Sequence, residues 1–491
     1  MATDVDGGGG GGGGGGAKRQ RVDEQEDRIS ELPDELRQRI LTFLPLKDAI
    51  RTGAVARGWR DQWRSRWAHR GSVEVHLKSR DAPRRELDAL EREPRPRRRL
   101  DRFSLVVDTC KLKPSELRRF TDYATECRVE DLHVEMRKST LAAKLNFHMP
   151  LSSPLLARLS LRRISISGMY FKGAQPFRAL EVIRLHSVNI TQTAVRKMMA
   201  LCPGLLTLDL RDCDCAEFFY CHSGLAMPPN LRSITIAECD GVADLRWVGV
   251  PCLRSFRYSG DYLCFDLPCD AVLADLYIRL SNSLSRKYYT DSLNNSLPKD
   301  LSCLNVLTIC SNVLPVVSLL PDDGASAQLP ILNLHSLKEL QLLMLKMEPV
   351  NLADLYAFLK TCQCPNLERL FVQLPEISYN TSKSSTEEVT EEPREDGLDN
   401  LAMVKVKNFN WRRTEVQLVS FLLRKTSCLR KLSIVSPNAI PLDVPGVQEA
   451  DLLLIKEALA SGKMVLSEMD DAATQPYHSE VFIKYVLGVL S

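Results

Sequence analysis

Apolar residues recur along most of the chain in one frame: an anchor, a second at +3 and a third at +5. The anchors are Leu100, Val129, Leu156, Leu180, Leu205, Leu231, Leu253, Leu273, Leu304, Leu337, Leu367, Leu401 and Leu429, at spacings of 20 to 34 residues. The +3 and +5 positions are two apart, the period of a strand, so both side chains turn toward one core. Several frames add an apolar residue or a cysteine at +8, as at Ile164, Val188, Cys213 and Cys239. Between frames the period lengthens to that of a helix. Residues 114–127, 191–201, 352–362 and 415–425 each read as amphipathic helices with a charged outer face. Ser72–Leu77 (SVEVHL) alternates as an additional strand ahead of the series.

The stretch Asp27–Trp67 follows a different pattern, that of three short helices. Pro33 stands where a first helical turn tolerates proline, followed by Asp34 and Glu35 at the favourable end of the helix dipole. Leu36, Ile40, Leu41 and Leu44 follow at helical spacing until Pro45 stops the run. A second helix starts at Lys47-Asp48, with Ile50 and Val55 as its apolar positions. Trp59, Trp63 and Trp67 then fall four apart as one aromatic stripe. About forty residues cannot bury that much apolar surface among themselves, so the stretch needs cover from its own chain or from another protein.

Both patterns carry resemblances. Leu-Pro-Asp-Glu-Leu, then Ile-Leu-x-Phe-Leu-Pro-Leu-Lys-Asp-Ala, then Trp-Arg-x-x-Trp resembles an F-box along its whole length. Leu-x-x-Leu-x-Leu at a period in the twenties resembles a leucine-rich repeat. Residues 401–437, with VKVKNF at 404–409, EVQLV at 415–419 and LRKL at 429–432, resemble the FBD-type carboxyl-terminal region of plant F-box/leucine-rich-repeat proteins. The implied fold is α/β. A three-helix F-box precedes a leucine-rich-repeat solenoid with a parallel sheet on its concave face and helices on its convex face. The F-box implies a Skp-type adaptor as partner, and through it a cullin. Its contact residues carry over onto Leu32, Pro33, Leu36, Ile40, Leu41, Leu44, Pro45, Val55 and Trp59. Gly53 and Gly58 depart from the family pattern, and a glycine inside a helix costs about 1 kcal/mol.

The expected organisation is a glycine-rich disordered tail over 1–26, the F-box over 27–67, and a connecting strand and basic loop over 68–99. Repeats follow over 100–375, an acidic disordered insertion over 376–400, the FBD-like region over 401–437 and a C-terminal cap over 438–491. That cap is expected to hold helices near 447–461 and 480–490. The 491 residues, 44% hydrophobic and 26% charged, are ordinary for a soluble globular protein. No apolar run reaches the length of a membrane span. The amino terminus leads into Gly7–Gly16 with no apolar signal region, so the fifteen cysteines are expected as reduced thiols in the cytoplasm or nucleus.

Charge is unevenly spread. Arg51–Arg102 holds sixteen basic and eight acidic residues, densest from Arg92 to Arg99. Pro94 and Pro96 there argue for a loop. No aromatic residue interleaves with the arginines, so a solvated loop outweighs a nucleic-acid surface. Cys213, Cys215, Cys221 and His222 invite a zinc site, but their spacing matches no standard finger, and Cys213 already has a place in the repeat. No phosphate loop, nucleophile elbow or paired carboxylate motif stands out, and no catalytic cysteine domain or cross-braced zinc module for ubiquitin transfer is visible. The expected role is therefore non-catalytic and without cofactor: substrate recognition for a Skp–cullin–F-box type ubiquitin ligase, with the target held on the repeat surface. The alternative is a repeat scaffold that binds a protein or small ligand with no ligase role.

Overall fold

The computed structural model describes residues 32–43, 52, 59 and 62, and most of 71–481. The exceptions within 71–481 are 79–81, 93, 98, 109–111, 138–144, 150–152, 167–175, 216–224, 241–246, 249, 261–266, 268–270, 282–296, 299, 318–332, 363, 377–397, 439–446 and 472. The chain forms two compact units, Met1–Gly71 and Ser72–Ser491.

In the first unit, helix α1 spans Asp34–Phe43. Its first turn closes on the Pro33 carbonyl, which accepts from the Leu36 and Arg37 amides at 3.0 Å each. Gln38 Nε2 donates to Gln62 Oε1 at 2.8 Å, tying the helix to a later segment of the same unit. The Trp63 and Trp67 part of the aromatic stripe lies outside the described residues.

The second unit is built on one sheet of fifteen strands among the described residues, each parallel to and beside its neighbour in sequence. They are β1 Ser72–Leu77, β2 Arg102–Val107, β3 Asp131–Met136, β4 Arg158–Arg162 and β5 Val182–His186. Next come β6 Thr207–Arg211, β7 Ser233–Ala237, β8 Ser255–Gly260, β9 Asp275–Leu280 and β10 Val306–Cys310. β11 Glu339–Leu343, β12 Arg369–Gln373, β13 Met403–Lys407, β14 Lys431–Val435 and β15 Met464–Ser467 complete it. The apolar frame is the register. Phe103, Leu132, Leu159, Ile183 and Leu208 stand side by side, and the +3 residues continue in line through Leu370, Val404 and Leu432. The +5 residues form a second row, and both rows are buried apart from the half-buried Tyr258.

Helices return the chain along the core side: α2 Pro83–Glu91, α3 Pro114–Glu126, α4 Gln192–Leu201, α5 Leu314–Val317, α6 Pro349–Thr361, α7 Arg413–Lys425 and α8 Glu449–Ala460. Pro83, Pro114 and Pro349 occupy first turns, where their missing N–H costs nothing. Glu116 accepts from the Lys113 amide at 2.9 Å and Thr191 from the Ala194 amide at 3.3 Å, capping orphan donors. The core closes with aromatic pairs such as Phe103–Tyr123, with centroids 5.9 Å apart, and Tyr356–Phe421, 4.6 Å apart.

A backbone device repeats at the strand ends. Arg163, Ser187, Asp212, Glu238 and Asn408 each follow a strand directly and take positive φ of 50–60°. The amides of the first three donate to the last carbonyl of the next strand, as Arg163 N to His186 O at 2.9 Å and Ser187 N to Arg211 O at 2.8 Å, and Glu238 N donates to Ser259 O, one residue before the end of β8, at 2.7 Å. The left-handed step lets the +8 residue drop back under the sheet.

Two expectations about element placement differ from the structure. Residues 83–91 are helical, where a connecting loop was expected. Pro83 opens that helix and the discouraging Pro94 and Pro96 lie beyond its end. Arg95, Arg97 and Arg99, which follow, are engaged. Arg97 donates to Glu126 at 2.6 Å and to the Leu90 carbonyl at 2.9 Å, with its guanidinium over the Tyr123 ring. Arg95 bonds Glu126 at 2.9 Å, Arg99 pairs with Glu130, and Arg119 reaches back to Glu91 at 2.6 Å. The cap also contains a strand, β15, which extends the sheet beyond α8. Around the acidic stretch, β12 pairs directly with β13, so the sheet runs on across it.

Candidate functional site

Two surfaces bear on binding. On α1, Leu36 is 45% exposed and Ile40 39%, an apolar pair one turn apart. Pro33 beside them is exposed and Leu32 half-buried. Leu41 and Trp59 are buried, so they hold the unit together while Leu36 and Ile40 face out. Leu44, Pro45 and Val55 lie outside the described residues. Asp34 and Glu35 add negative charge at the helix start, and Arg37 pairs with Asp34 at 3.4 Å. An exposed i, i+4 apolar pair framed by charge is a ridge that fits a groove on another protein.

The second surface is the sheet face opposite the leucine core. Its N-terminal part, over β1 to β5, presents a polar mosaic. Arg158 and Arg184 are exposed, Arg162 contacts Glu135 at 3.4 Å, and His76 bonds Asp108 at 2.7 Å. Burial pushes His133 and His186 below the usual imidazole range, so both are neutral at pH 7.

From β6 to β13 the same face is crossed by the chain's own residues 470–480. Asp470 pairs with both Lys405 and Lys407 on β13. The Lys405 ammonium also donates to the Thr474 carbonyl at 2.7 Å and the Asp471 carbonyl at 3.1 Å, and Lys407 donates to Gln475 at 3.2 Å. The Tyr477 amide donates to Glu339 on β11 at 2.5 Å. His478 is buried, with Nδ1 2.8 Å from the Thr308 hydroxyl and Nε2 3.0 Å from Asp275 Oδ1. Arg211 on β6 bonds Glu480 at 2.8 Å. Burial lowers the His478 pKa, against the opposing pull of the Asp275 hydrogen bond. In the neutral ring, Nε2–H donates to the acceptor-only Asp275, which leaves Nδ1 to meet the Thr308 hydroxyl, a group that also bonds Gln341 Oε1 at 3.1 Å. Burial alone would raise Asp470, but the two lysines hold it down at about 2. The Asp–His–Thr alignment resembles a hydrolytic relay, yet Thr308 is fully buried and out of reach of any substrate.

This strap left no mark in the pattern, because its partners are polar and lie far away in sequence, by as many as 269 residues for Arg211 and Glu480. Of the thiols considered for metal, Cys213 and Cys215 are buried, and Cys213 donates to the Arg211 carbonyl at 3.3 Å. Cys221 and His222 lie outside the described residues. Burial pushes the Cys364 thiol up to about 12, which makes it a packing group.

Comparison with known proteins adds two domain matches: residues 29–70 to the F-box domain and residues 99–441 to the "At1g61320/AtMIF1, LRR domain" family. Among Arabidopsis thaliana relatives, one named as the F-box/LRR-repeat protein At5g54820 is 22% identical over 480 residues, covering 88% of this chain and 94% of its own. The F-box/LRR-repeat protein At3g03360 is 26% identical over 324 residues, covering 61% and 62%. The FBD-associated F-box protein At5g38590 is 23% identical over 299 residues, covering 58% and 67%.

Proposed function

This chain belongs to the At1g61320/AtMIF1 leucine-rich-repeat family and carries an F-box ahead of its repeats, and from that premise we propose that it is a substrate-recognition subunit of a Skp–cullin–F-box type ubiquitin ligase. The observation that carries this reading is the exposed Leu36/Ile40 pair on α1, inside the F-box match. These two side chains, with Pro33 and Leu32 beside them, form the proposed adaptor contact. Leu41 and Trp59, both buried, belong to the proposed set by their place in the F-box pattern. Leu44, Pro45 and Val55 complete the proposed set by their place in the F-box pattern.

The mechanism is proximity. The adaptor links the chain to a cullin, the repeat unit holds a target, and target lysines gain effective concentration at the reaction centre. This chain contributes binding and orientation, while the covalent chemistry belongs to other subunits. No helix among the described residues is long and apolar enough to cross a membrane.

Co-purification with a Skp-type adaptor tests the reading. In Leu36→Asp/Ile40→Asp, two apolar contacts become unpaired carboxylates, so adaptor affinity falls more than ~30-fold, a loss of about 2 kcal/mol or more. Both residues are exposed, so the double variant keeps its fold. Adaptor binding that survives both changes defeats the proposal and leaves the repeat scaffold without a ligase role.

A further inference from the structure

The strap is held almost entirely by polar pairing. Pro476 is its buried apolar residue, whereas Tyr477 is 55% exposed and Met469, just before it, 82%. The sheet side chains beneath, Lys405, Glu339, Gln341, Asp275 and Thr308, are all buried. On an open sheet face these groups stand in water, so seating the strap desolvates several charges on both sides. Desolvation offsets part of what such pairs gain, and ordering the strap residues costs backbone entropy besides. A small pocket with room for about one water lies beside the strap, lined by Gln341, Phe371, Gln373, Lys405, Pro476 and Ser479. A contact with high polar complementarity and little apolar burial gives specificity with modest net stability.

We infer that the face from β6 to β13 is a peptide-binding groove for an extended acidic segment of the target, and that residues 470–480 are a tethered stand-in which the target displaces. The inference rests on the substrate-recognition reading above and names the chemistry of that substrate. Lys405 and Lys407 together take a carboxylate. Glu339 takes a main-chain N–H seven residues further on, and Asp275 with Thr308 takes an imidazole at the next residue. Arg211 takes a second carboxylate two residues beyond that. Because the stand-in is covalently attached, its effective concentration is of millimolar order, so a free peptide of equal affinity cannot compete with it. A target brought to the ligase must carry a better match or additional contacts.

The probe is a fluorescent peptide with the sequence of residues 468–481, added in trans to the full chain. Asp470→Lys/His478→Ala weakens the tethered copy and leaves the groove intact. The expected result is peptide binding at least tenfold tighter in this variant than in the natural chain, lost again when Lys405→Gln/Lys407→Gln is added. A scrambled peptide serves as control, and a cooperative thermal transition reports folding. The inference is overturned if the folded variant takes up no peptide, if the scrambled peptide binds equally, or if the natural chain binds as well as the variant. It is equally overturned if the strap variant loses its thermal transition, since the segment is then part of the fold. Adaptor capture on the same samples separates the two proposals. Retained adaptor binding without peptide binding defeats this inference alone.

Discussion

At the scale of single residues, the repeat depends on backbone positions that the apolar pattern does not mark. Arg128 closes α3 with φ of 50°, its amide donating to Thr125 O while Val129 N reaches Ala124 O at 3.3 Å. That bond pair is a Schellman stop in which glycine is usual, because a side chain costs about 1–2 kcal/mol in the left-handed region. Arg128 is exposed, so Arg128→Gly should raise stability by about 0.5–1 kcal/mol, read as a higher urea midpoint at unchanged slope. The strap supplies a pH prediction. Burial lowers the His478 pKa, so the seated strap binds fewer protons than the released one, and release is favoured as pH falls below about 6.5. Facing the ring are Asp275, Thr308 and Tyr277, with Arg257 and Glu339 close by. Asp470, between Lys405 and Lys407, acts in the same direction further down. Its contribution is complete above the ordinary Asp range and is lost as pH falls toward about 2. Hydrogen exchange at the Tyr477 amide, corrected for its intrinsic rate, should therefore be slowest near pH 7 and accelerate in two steps on acidification. A flat profile excludes this linkage.

At the scale of elements, the anchor frame was legible almost throughout: its +3 residues are the observed register of β2 to β14. Helices α3, α4, α6 and α7 fall within three residues of their expected limits, because each carries a strong 3.6 period or a cap. What escaped has physical reasons. In α2, Leu87 is buried but charged residues surround it, and the neighbouring prolines mask the short apolar stripe. β15 is four residues long and stands directly after the Gly462 turn, too short to show a period. For the candidate site, helix α1 itself was readable from pattern and resemblance, but not which of the proposed contact residues on it face outward. That depends on the tertiary cover of Leu41 and Trp59. The distinction is testable. Leu41→Ala should cost the first unit about 2–5 kcal/mol of stability, whereas Leu36→Ala, exposed at the start of the same helix, should cost under about 0.5 kcal/mol. Equal losses in thermal melts of the two variants contradict this division.

At the scale of the molecule, the main sheet of the second unit is a one-dimensional array in which, among the described residues, each strand pairs only with its sequence neighbours. Stability in such an array is close to a sum of local contributions, and parts of it can open separately. The strap departs from that rule by joining β6, β9, β10, β11 and β13 through one segment. Urea unfolding followed by residue-level hydrogen exchange should therefore show β6 to β13 opening together, with β1 to β5 opening as a separate step. In Asp470→Lys/His478→Ala the joint step should broaden or split, while the β1 to β5 step stays in place. An unchanged pattern in that variant removes the strap from the account of cooperativity.

A row of parallel strands is springy along its stacking direction, because small rotations between neighbours accumulate. Residues 470–480 bridge that row from Lys405 on β13 to Arg211 on β6. While the bridge is fastened, the strands beneath it cannot rotate independently of one another. Once it is let go, each is free to adjust to whatever lies against that face.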